Sequence, residues 1–125
     1  MKQIIQTQEA PGAIGPYSQA IKSGDLLFIS GQIPLDPKTM QLVGSNAHEQ
    51  AVQVLTNLQA VLKAAGANIS SVVKTTIFLK DMGDFDAVNQ VYAGVFKEQH
   101  PARSTIEVAR LPKDVLVEVE AIARI

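Results

Sequence analysis

The 125-residue sequence predicts a single α+β domain, residues 1–125, in which two helices cover one face of a six-stranded mixed sheet. Three observations support this fold class. A long apolar stripe of helical period follows an N-cap, a second helical stripe ends before a proline, and the remaining apolar runs are short and rich in β-branched residues. Strands that precede, separate and follow two helices build one sheet layer and one helix layer.

Turn signals separate the strands at the start of the chain. The predicted strands comprise residues 3–7, 17–23 and 26–30. A tight turn at Gly24-Asp25 joins the last two of them. Residues 10–16 form a rigid loop because glycine and proline recur there, and residues 31–44, which contain two prolines, are predicted to form a second loop.

The first helix has the clearest local signals. Asn46, with Glu49 three residues later, predicts a capping box, and Gly66 supplies the left-handed residue that ends a helix. Apolar residues recur between them with a period of about 3.6 residues. They are Ala47, Ala51, Val54, Leu55, Leu58, Val61, Leu62 and Ala65.

The second half of the chain contains one helix and three strands. The helix is predicted over residues 84–97, and Pro101 lies just beyond its end. Its apolar face carries Phe85, Val88, Tyr92 and Val95. The predicted strands are residues 72–79, 101–108 and 116–122. The loop between the last two strands is short, which predicts that they are neighbours in the sheet.

The last predicted strand is apolar on both faces. Val117, Val119 and Ala121 share one face, and Leu116 and Ile122 share the other. A strand of this kind is covered on both sides in folded proteins. Because two helices cover only one face of such a sheet, we expect another subunit to cover the other face.

Composition and charge exclude several classes of function. The formal net charge is −1, with acids and bases interspersed, and aromatic residues make up 5% of the chain, so no surface for nucleic acid is predicted. The chain has no cysteine, which excludes disulfides, thiolate catalysis and cysteine metal sites. No apolar run has the length of a signal peptide or a membrane span, and we expect a soluble, cytoplasmic protein.

An arginine within a strand-like run is the leading indication of function. Alternation along the strand places Arg103, Thr105 and Glu107 on the same face. Burial of the arginine charge is costly unless the charge is paired or faces a cavity. Its planar fork is suited to a small carboxylate, which it binds through two parallel hydrogen bonds. A structural ion pair with Glu107, Glu118 or Glu120 is the competing interpretation. Alternation alone does not fix the register that would decide between them.

Other polar residues carry weaker signals. Tyr17 follows a Gly-Pro pair. We expect its ring to pack in the core with the hydroxyl group in contact with solvent, and this interpretation is favoured over a role in the functional site. Ser30-Gly31 ends an apolar strand, where a turn is the ordinary interpretation and a functional loop the alternative. His48 and His100 have no partner at metal-ligand spacing, so both are expected to be exposed and no metal site is predicted. Neither a serine triad nor cofactor-dependent chemistry is predicted.

These motifs resemble the RidA/YjgF/UK114 family, the reactive-intermediate deaminases, along essentially the whole chain. The segments that carry the resemblance are residues 13–20 (AIGPYSQA), 30–34 (SGQIP), 73–76 (VKTT), 88–92 (VNQVY) and 101–120, which includes PARS, ARLPKD and VEVE. The last segment is the most specific. An ordered match of this length does not arise by chance.

The resemblance implies a chorismate-mutase-like α+β fold of the YjgF type. It implies a homotrimer with a central barrel-like core and one pocket at each subunit interface. The implied activity is hydrolysis of 2-imino acids, such as 2-iminobutanoate and 2-iminopropanoate, to 2-keto acids and ammonia. Pyridoxal-phosphate enzymes that act on threonine and serine release these imines. The family needs no metal or organic cofactor, and neither nucleic acid nor a membrane is implied as a partner.

The functional residues of the family match positions of this chain. Arg103 matches the arginine that binds the substrate carboxylate, and Glu118 matches the glutamate that positions the attacking water. Tyr17 matches a pocket tyrosine near the substrate and completes the expected catalytic set. Asn89 lies in a motif that borders the site, and Ser30-Gly31 matches a segment that lines the pocket.

One position departs from the pattern of the family. Thr105 stands where relatives often have cysteine. We expect its backbone carbonyl, rather than its side chain, to hold the attacking water, so threonine should be tolerated. Cysteine-based oxidative or electrophile sensing is excluded.

A binding module is the alternative function. A trimer that senses a keto or imino acid would use the same pocket, with Arg103 as the anchor and Glu118 as part of the wall. Family members have also been linked to ribonuclease, translation-inhibiting and chaperone-like roles, and nothing in this composition favours RNA.

Overall fold

Six strands form one sheet in the computed structural model, which describes residues 1–125, and two α-helices pack on one face of that sheet. The strands are β1 (Lys2–Ile5), β2 (Ala20–Ser23), β3 (Leu26–Gln32), β4 (Val72–Leu79), β5 (Ala102–Glu107) and β6 (Val117–Arg124). The helices are α1 (Ala47–Ala64) and α2 (Phe85–Val95). The predicted α+β class is confirmed. Neither helix has the length and apolar character that a membrane span requires.

The order of the strands across the sheet is β1-β2-β3-β6-β4-β5. β5 runs parallel to β4, and the other neighbouring pairs are antiparallel. The prediction that the last two strands are neighbours is therefore wrong, because β4 lies between β5 and β6. The cause is the crossover through α2. A strand that returns through a helix pairs parallel with the strand before it, so β5 takes the free edge of β4 and β6 takes the other edge.

The segment before β2 is a loop rather than a strand. β2 begins at Ala20 and not at Tyr17, because the Tyr17 amide donates to the Gly15 carbonyl (2.9 Å) in a tight turn. Gln19, which is 4% exposed, secures this loop. Its side chain accepts from the Thr7 amide (2.7 Å) and donates to the Thr7 carbonyl (3.0 Å) and to two loop carbonyls. The pattern of the sequence did not reveal this role, because a single glutamine has no periodic signal.

β3 carries a bulge where it pairs with β6. Between the paired residues on either side, β3 contributes Ser30 and Gly31, whereas β6 contributes only Glu120. A bulge of this kind bends a strand and redirects its side chains. β3 therefore continues to Gln32, and the interpretation of Ser30-Gly31 as a turn is wrong.

Helix α1 begins and ends where the sequence predicts. Asn46 Oδ1 accepts from the Glu49 amide (2.9 Å), which is one half of the predicted capping box. The Glu49 carboxylate accepts instead from the amide (2.9 Å) and hydroxyl (3.0 Å) of Ser45. Gly66 follows the last turn with φ 76°. The apolar stripe is packed on the sheet, and its fully buried members are Val54, Leu58, Val61 and Leu62.

Helix α2 is shorter than predicted and ends at Val95 instead of residue 97. Phe96 leaves the helix with ψ 79° and is 1% exposed, stacked on Tyr92 with ring centroids 4.4 Å apart. Full burial of a phenylalanine side chain contributes about 1.5–3 kcal/mol. This gain exceeds the contribution of one more residue at a helix end, so the chain follows the core instead of the helix.

The face of the sheet opposite the helices is uncovered in the chain and mixes apolar with polar side chains. Its apolar members include the exposed Leu26, Phe28 and Ile106, beside the half-buried Phe78 and Ile122. Lys74, Thr76, Glu118 and Glu120 share this face. The helices cover only one face of β6, as the sequence predicts, but the prediction that its other face is apolar is wrong, because Glu118 and Glu120 lie there beside Ile122.

Candidate functional site

Arg103 projects from the face of the sheet that carries the helices. Its partner on β4 is Thr75, which is fully buried beneath the helix layer. The guanidinium carbon of Arg103 lies 4.9 Å from the centroid of the Tyr92 ring and 5.7 Å from that of the Phe85 ring. Cation–π attraction of this kind contributes about 0.5–2 kcal/mol, so the two rings help to hold the guanidinium in place.

No carboxylate of the chain forms an ion pair with Arg103. The ion pairs of the chain are Arg110–Asp114 (2.7 Å) and Arg124–Asp25 (3.1 Å). Glu107, one of the three partners considered for Arg103, accepts instead from the Met82 amide at 2.8 Å. The structural ion pair is therefore not formed within the chain, and the charge of Arg103 is available to a ligand.

Arg103 opens into a cavity of about 330 Å³. The other lining residues are Asn89, Tyr92, Ala93, His100 and Pro101. The lining carries the positive charge of Arg103 and no acidic side chain, so the cavity favours an anion. The structure thus brings Arg103 and Asn89 together, as the motif resemblance implied.

Tyr92 forms part of this cavity, a role that the sequence analysis missed. Its hydroxyl lies 2.7 Å from the Thr75 hydroxyl, and its ring stacks on Phe96. Burial raises the pKa of the Tyr92 phenol, whereas the hydrogen bond with Thr75 and the charge of Arg103 act in the opposite direction. The sequence could have revealed this role, because Tyr92 follows Asn89 by three positions, a spacing that places both side chains on one side of the helix.

Glu118 projects from the opposite, open face of the sheet. Its partner on β4 is Phe78, and it alternates with the buried residues Val117 and Val119. The side chain is half-buried. Burial, followed by repulsion from Glu120, raises the pKa of the Glu118 carboxyl group. A carboxyl group with a raised pKa is a better proton acceptor at the pH where it is ionised.

The Glu118 side chain lies directly against the backbone of Gly31. A Cβ at position 31 would fall 2.8 Å from Cδ of Glu118 and would overlap a carboxylate oxygen. The bulge in β3 and the missing side chain of Gly31 therefore create the space that Glu118 occupies. Ser30 donates its hydroxyl to the Ser18 carbonyl (2.6 Å), which ties the bulge to the loop that carries Tyr17.

Tyr17 is 47% exposed, so its interpretation as a core ring is wrong. Its hydroxyl accepts from the Ile14 amide (3.2 Å), and it lines a small crevice together with Gly31. The Gln19 side chain ties the loop together, and the Gln19 carbonyl accepts from the Ser30 amide (3.0 Å) at the bulge in β3. Tyr17 therefore lies beside the bulge, next to Gly31.

Thr105 lies two residues after Arg103 on the same face of β5. Its hydroxyl is buried and has no hydrogen-bond partner in the chain. β5 is an edge strand, so one row of its backbone donors and acceptors has no partner strand. A buried hydroxyl without a partner costs about 1–3 kcal/mol, and such groups are commonly satisfied by water, a ligand or another chain.

The largest cavity, about 770 Å³, lies away from Arg103, between β1, the loop before β2 and residues 37–40. Tyr17 is the only predicted site residue in its lining, and Lys38 is the only charged one. A functional site needs convergent polar groups as well as volume. The smaller cavity at Arg103 contains two of the predicted site residues, Arg103 and Asn89, and a guanidinium without an ion-pair partner in the chain.

The predicted site residues form two separate groups. The arginine group contains Arg103, Thr105 and Asn89, and the glutamate group contains Glu118, Gly31, Ser30 and Tyr17. The first group is suited to bind an anion, and the second carries a proton acceptor. Nothing in the fold of one chain joins them. No set of three or more His, Asp or Glu side chains is arranged to hold a metal ion.

Two helices on one face of a six-stranded mixed sheet, with a bulged β3 beside β6, define the YjgF-like class of α+β proteins. The solved structure of Escherichia coli TdcF with bound serine has this fold. It matches the chain with a TM-score of 0.94 at 45% sequence identity, over 98% of each chain.

The family model for Endoribonuclease L-PSP matches residues 7–125. A RutC family protein of Pyrococcus horikoshii is 57% identical over 98% of both chains. Human 2-iminobutanoate/2-iminopropanoate deaminase is 48% identical over 98% of this chain and 90% of its own length. The chain therefore belongs to the Endoribonuclease L-PSP family, which is the RidA/YjgF family that its motifs resemble.

Proposed function

We propose that the protein hydrolyses 2-imino acids, such as 2-iminobutanoate and 2-iminopropanoate, to 2-keto acids and ammonia. The observation that carries this proposal concerns Arg103. Its guanidinium lies over two aromatic rings, opens into a cavity and has no carboxylate partner in the chain. An arginine held in this way is available to the carboxylate that every 2-imino acid carries.

Two relatives support this class of substrate. The human relative is named for the deamination of 2-iminobutanoate and 2-iminopropanoate, and TdcF holds serine, an amino acid with the same carboxylate. The name of the family, Endoribonuclease L-PSP, suggests RNA as another class of substrate. A net charge of −1 and an aromatic content of 5% do not favour RNA as the substrate of this chain.

The active site is proposed to form between copies of the chain. Arg103 and Glu118 project from opposite faces of one sheet, so one chain does not supply both to one substrate. The face that carries Glu118 is uncovered in the chain, and a second copy would remove its exposed apolar side chains, such as Phe28 and Ile106, from water. A ring of copies, such as the homotrimer that the resemblance implies, brings the glutamate group of one copy beside the arginine group of the next.

Substrate binding in this mechanism depends on the arginine group. Arg103 holds the carboxylate through two parallel hydrogen bonds, and this contact fixes the position of the adjacent C2 carbon. Asn89 lines the same cavity and borders the bound acid. Holding a reacting carbon in place lowers the barrier for a weakly nucleophilic water molecule.

The hydrolysis step depends on the glutamate group of the neighbouring copy. Glu118 accepts a proton from water while the water oxygen bonds to C2 of the protonated imine, and the electron pair of the C=N double bond moves to nitrogen. The backbone carbonyl of Thr105 orients this water, and Tyr17 closes the site beside Gly31. Glu118 then returns its proton to the nitrogen, the C–N bond breaks with its electron pair leaving on ammonia, and the hydroxyl group on C2 loses its proton to water as the C=O bond of the keto acid forms. Water is the only co-reactant.

A coupled assay tests the proposed reaction. Threonine dehydratase generates 2-iminobutanoate, semicarbazide traps it, and an active deaminase suppresses the trapped adduct. We expect suppression by the wild type and none by Arg103→Ala or Arg103→Lys, since a point charge does not replace the planar fork. Arg110→Lys is the matched control, because Arg110 is exposed and pairs with Asp114. Near-normal turnover by Arg103→Lys would contradict the proposed role.

A regulatory module that binds keto or imino acids without catalysis is the alternative. Glu118→Gln separates the two functions because it removes the proton acceptor and keeps the size of the side chain. For an enzyme, we expect Glu118→Gln to lose turnover while calorimetry still detects binding of 2-oxobutanoate. If the wild type binds 2-oxobutanoate and does not suppress the adduct, the alternative is correct.

A further inference from the structure

The Arg103 cavity contains one polar side chain for which the hydrolysis described above has no use. His100 lines the same space of about 330 Å³ as Arg103. In one chain the cavity is open to solvent and reaches from Arg103 to the exposed His100.

The polar groups of this cavity favour negative charge. Arg103 and His100 both supply N–H donors, and no acidic side chain lines the space. His100 takes part in neither ion pair of the chain. The charged residues of its own segment, Lys97 and Glu98, are exposed and do not line the cavity. Within one chain, no carboxylate therefore competes with a ligand for the imidazole, and the Glu118 of the neighbouring copy acts at the C2 carbon in the proposed mechanism.

The backbone around His100 is restrained. Gln99 has φ 49°, in the left-handed region that residues other than glycine rarely adopt. Pro101 fixes its own φ and restricts His100 to extended conformations. Phe96, which is 1% exposed, anchors the start of the same segment in the core. The fold thus fixes where the backbone carries His100 at the edge of the cavity.

We propose that His100 is a specificity-determining residue that extends the substrate range to 2-imino acids with a second carboxylate, such as 2-iminosuccinate and 2-iminoglutarate. This inference rests on the proposed function, because Arg103 must hold the first carboxylate. The second carboxylate then extends along the cavity and accepts a hydrogen bond from the imidazole of His100. Substrates of this class form wherever the amino group of an acidic amino acid is oxidised to an imine.

Substrate selectivity tests this proposal. An oxidase acting on L-glutamate generates 2-iminoglutarate, threonine dehydratase generates 2-iminobutanoate, and semicarbazide trapping gives kcat/KM for each. We expect His100→Phe and His100→Leu to lower the ratio of kcat/KM for 2-iminoglutarate over 2-iminobutanoate about tenfold, the effect of one hydrogen bond to a charged group, because neither new side chain can donate one. His48→Gln is the matched control, because His48 is exposed on α1 and outside this cavity. Its ratio should equal that of the wild type.

Three outcomes overturn the role of His100. They are an unchanged ratio in both His100 variants, an equal loss on both substrates, and a wild type that hydrolyses 2-iminobutanoate and leaves 2-iminoglutarate untouched. If the wild type hydrolyses neither substrate, the proposed deaminase function fails instead. Calorimetry with 2-oxoglutarate and 2-oxobutanoate then tests His100 separately. A selective loss of 2-oxoglutarate affinity in His100→Leu supports the inference, and an unchanged affinity or an equal loss for both keto acids overturns it.

Discussion

The side chains of Arg103 and Glu118 leave opposite faces of the same sheet. Arg103 is paired with Thr75, which is buried beneath the helices, and Glu118 is paired with Phe78, which lies on the open face. Thr75 and Phe78 are three positions apart on β4, and an odd spacing along a strand reverses the side of the sheet. The residues proposed to bind the anion and to accept the proton are therefore kept apart by the sheet itself.

This separation predicts that two inactive variants restore activity when they are mixed. Arg103→Ala keeps Glu118, and Glu118→Gln keeps Arg103. In randomly mixed copies of the proposed trimer, about one interface in four combines both intact groups, so we expect about 25% of wild-type activity. The measurement is the semicarbazide assay on a 1:1 mixture that has been unfolded and refolded, with each variant and the wild type refolded alone as controls. A mixture as inactive as its components would show that the two residues do not act across an interface.

Gly31→Ala should impair turnover without unfolding the protein. The added methyl group overlaps the Glu118 carboxylate, whose flexible end moves away, and Gly31 has no left-handed φ that would strain an alanine. A displacement of about 1 Å in a reacting group lowers the rate about 100-fold, and we expect a loss of this order in kcat.

The Tm of Gly31→Ala should stay within a few degrees of the wild type. Gly94→Ala is the matched control, since no atom lies within 4 Å of its added Cβ, and an alanine in that helix stabilises the fold by about 0.5–1 kcal/mol. Full activity in Gly31→Ala would contradict the role given to Glu118.

Glu120→Gln should extend activity to lower pH. Glu118 must be ionised to accept a proton, so kcat/KM falls as the pH drops through its pKa. Burial and the charge of Glu120 both raise this pKa. Removing the charge of Glu120 lowers the pKa of Glu118, and the acid limb of the profile of kcat/KM against pH moves to lower pH. Glu9→Gln, in an exposed loop, should leave the limb in place. A limb that is unchanged in Glu120→Gln would assign it to another group.

Substitutions at Thr105 separate the function of its hydroxyl from that of its backbone carbonyl. The hydroxyl is buried without a partner in the chain, so Thr105→Val removes an unsatisfied group while keeping the branched shape. We expect unfolding midpoints equal to or above that of the wild type and activity within about threefold of it, because replacing an unpaired hydroxyl by a methyl group is close to neutral. Thr105→Ser, which keeps the hydroxyl, is the comparison. A large loss in Thr105→Val with full activity in Thr105→Ser would show that the hydroxyl binds the substrate or the water.

The elements that the sequence predicted well are those with local signals. Helix α1 has its own N-cap, apolar stripe and terminal glycine, and β4 is rich in β-branched residues, so contacts within each segment favour its structure. The predictions failed where distant contacts dominate. Tyr17 lies in a loop that Gln19 ties to Thr7, and α2 ends early because Phe96 stacks on Tyr92. None of these contacts has a pattern that can be recognised in advance.

The candidate site divides in the same way. Arg103, Glu118 and Asn89 could be identified from residue type and motif, because an arginine in a strand and a glutamate in an apolar run are unusual in themselves. The division of the site residues into an arginine group and a glutamate group could not be predicted from the sequence. The contributions of Tyr92 and His100 to the arginine cavity also appear only when α2 and the segment after it pack beside β5.

The sequence alone determined the α+β class, the two helices, the strand content and the charged residues at the centre of the proposed site. These properties depend on residue type and on periodicity over a few neighbouring residues. The tertiary structure alone decided that β4 separates β5 from β6, that the bulge in β3 makes room for Glu118, and that Arg103 and Glu118 lie on opposite faces. Strand order and register depend on pairing between distant segments, and a shift of one residue moves a side chain to the other face of the sheet.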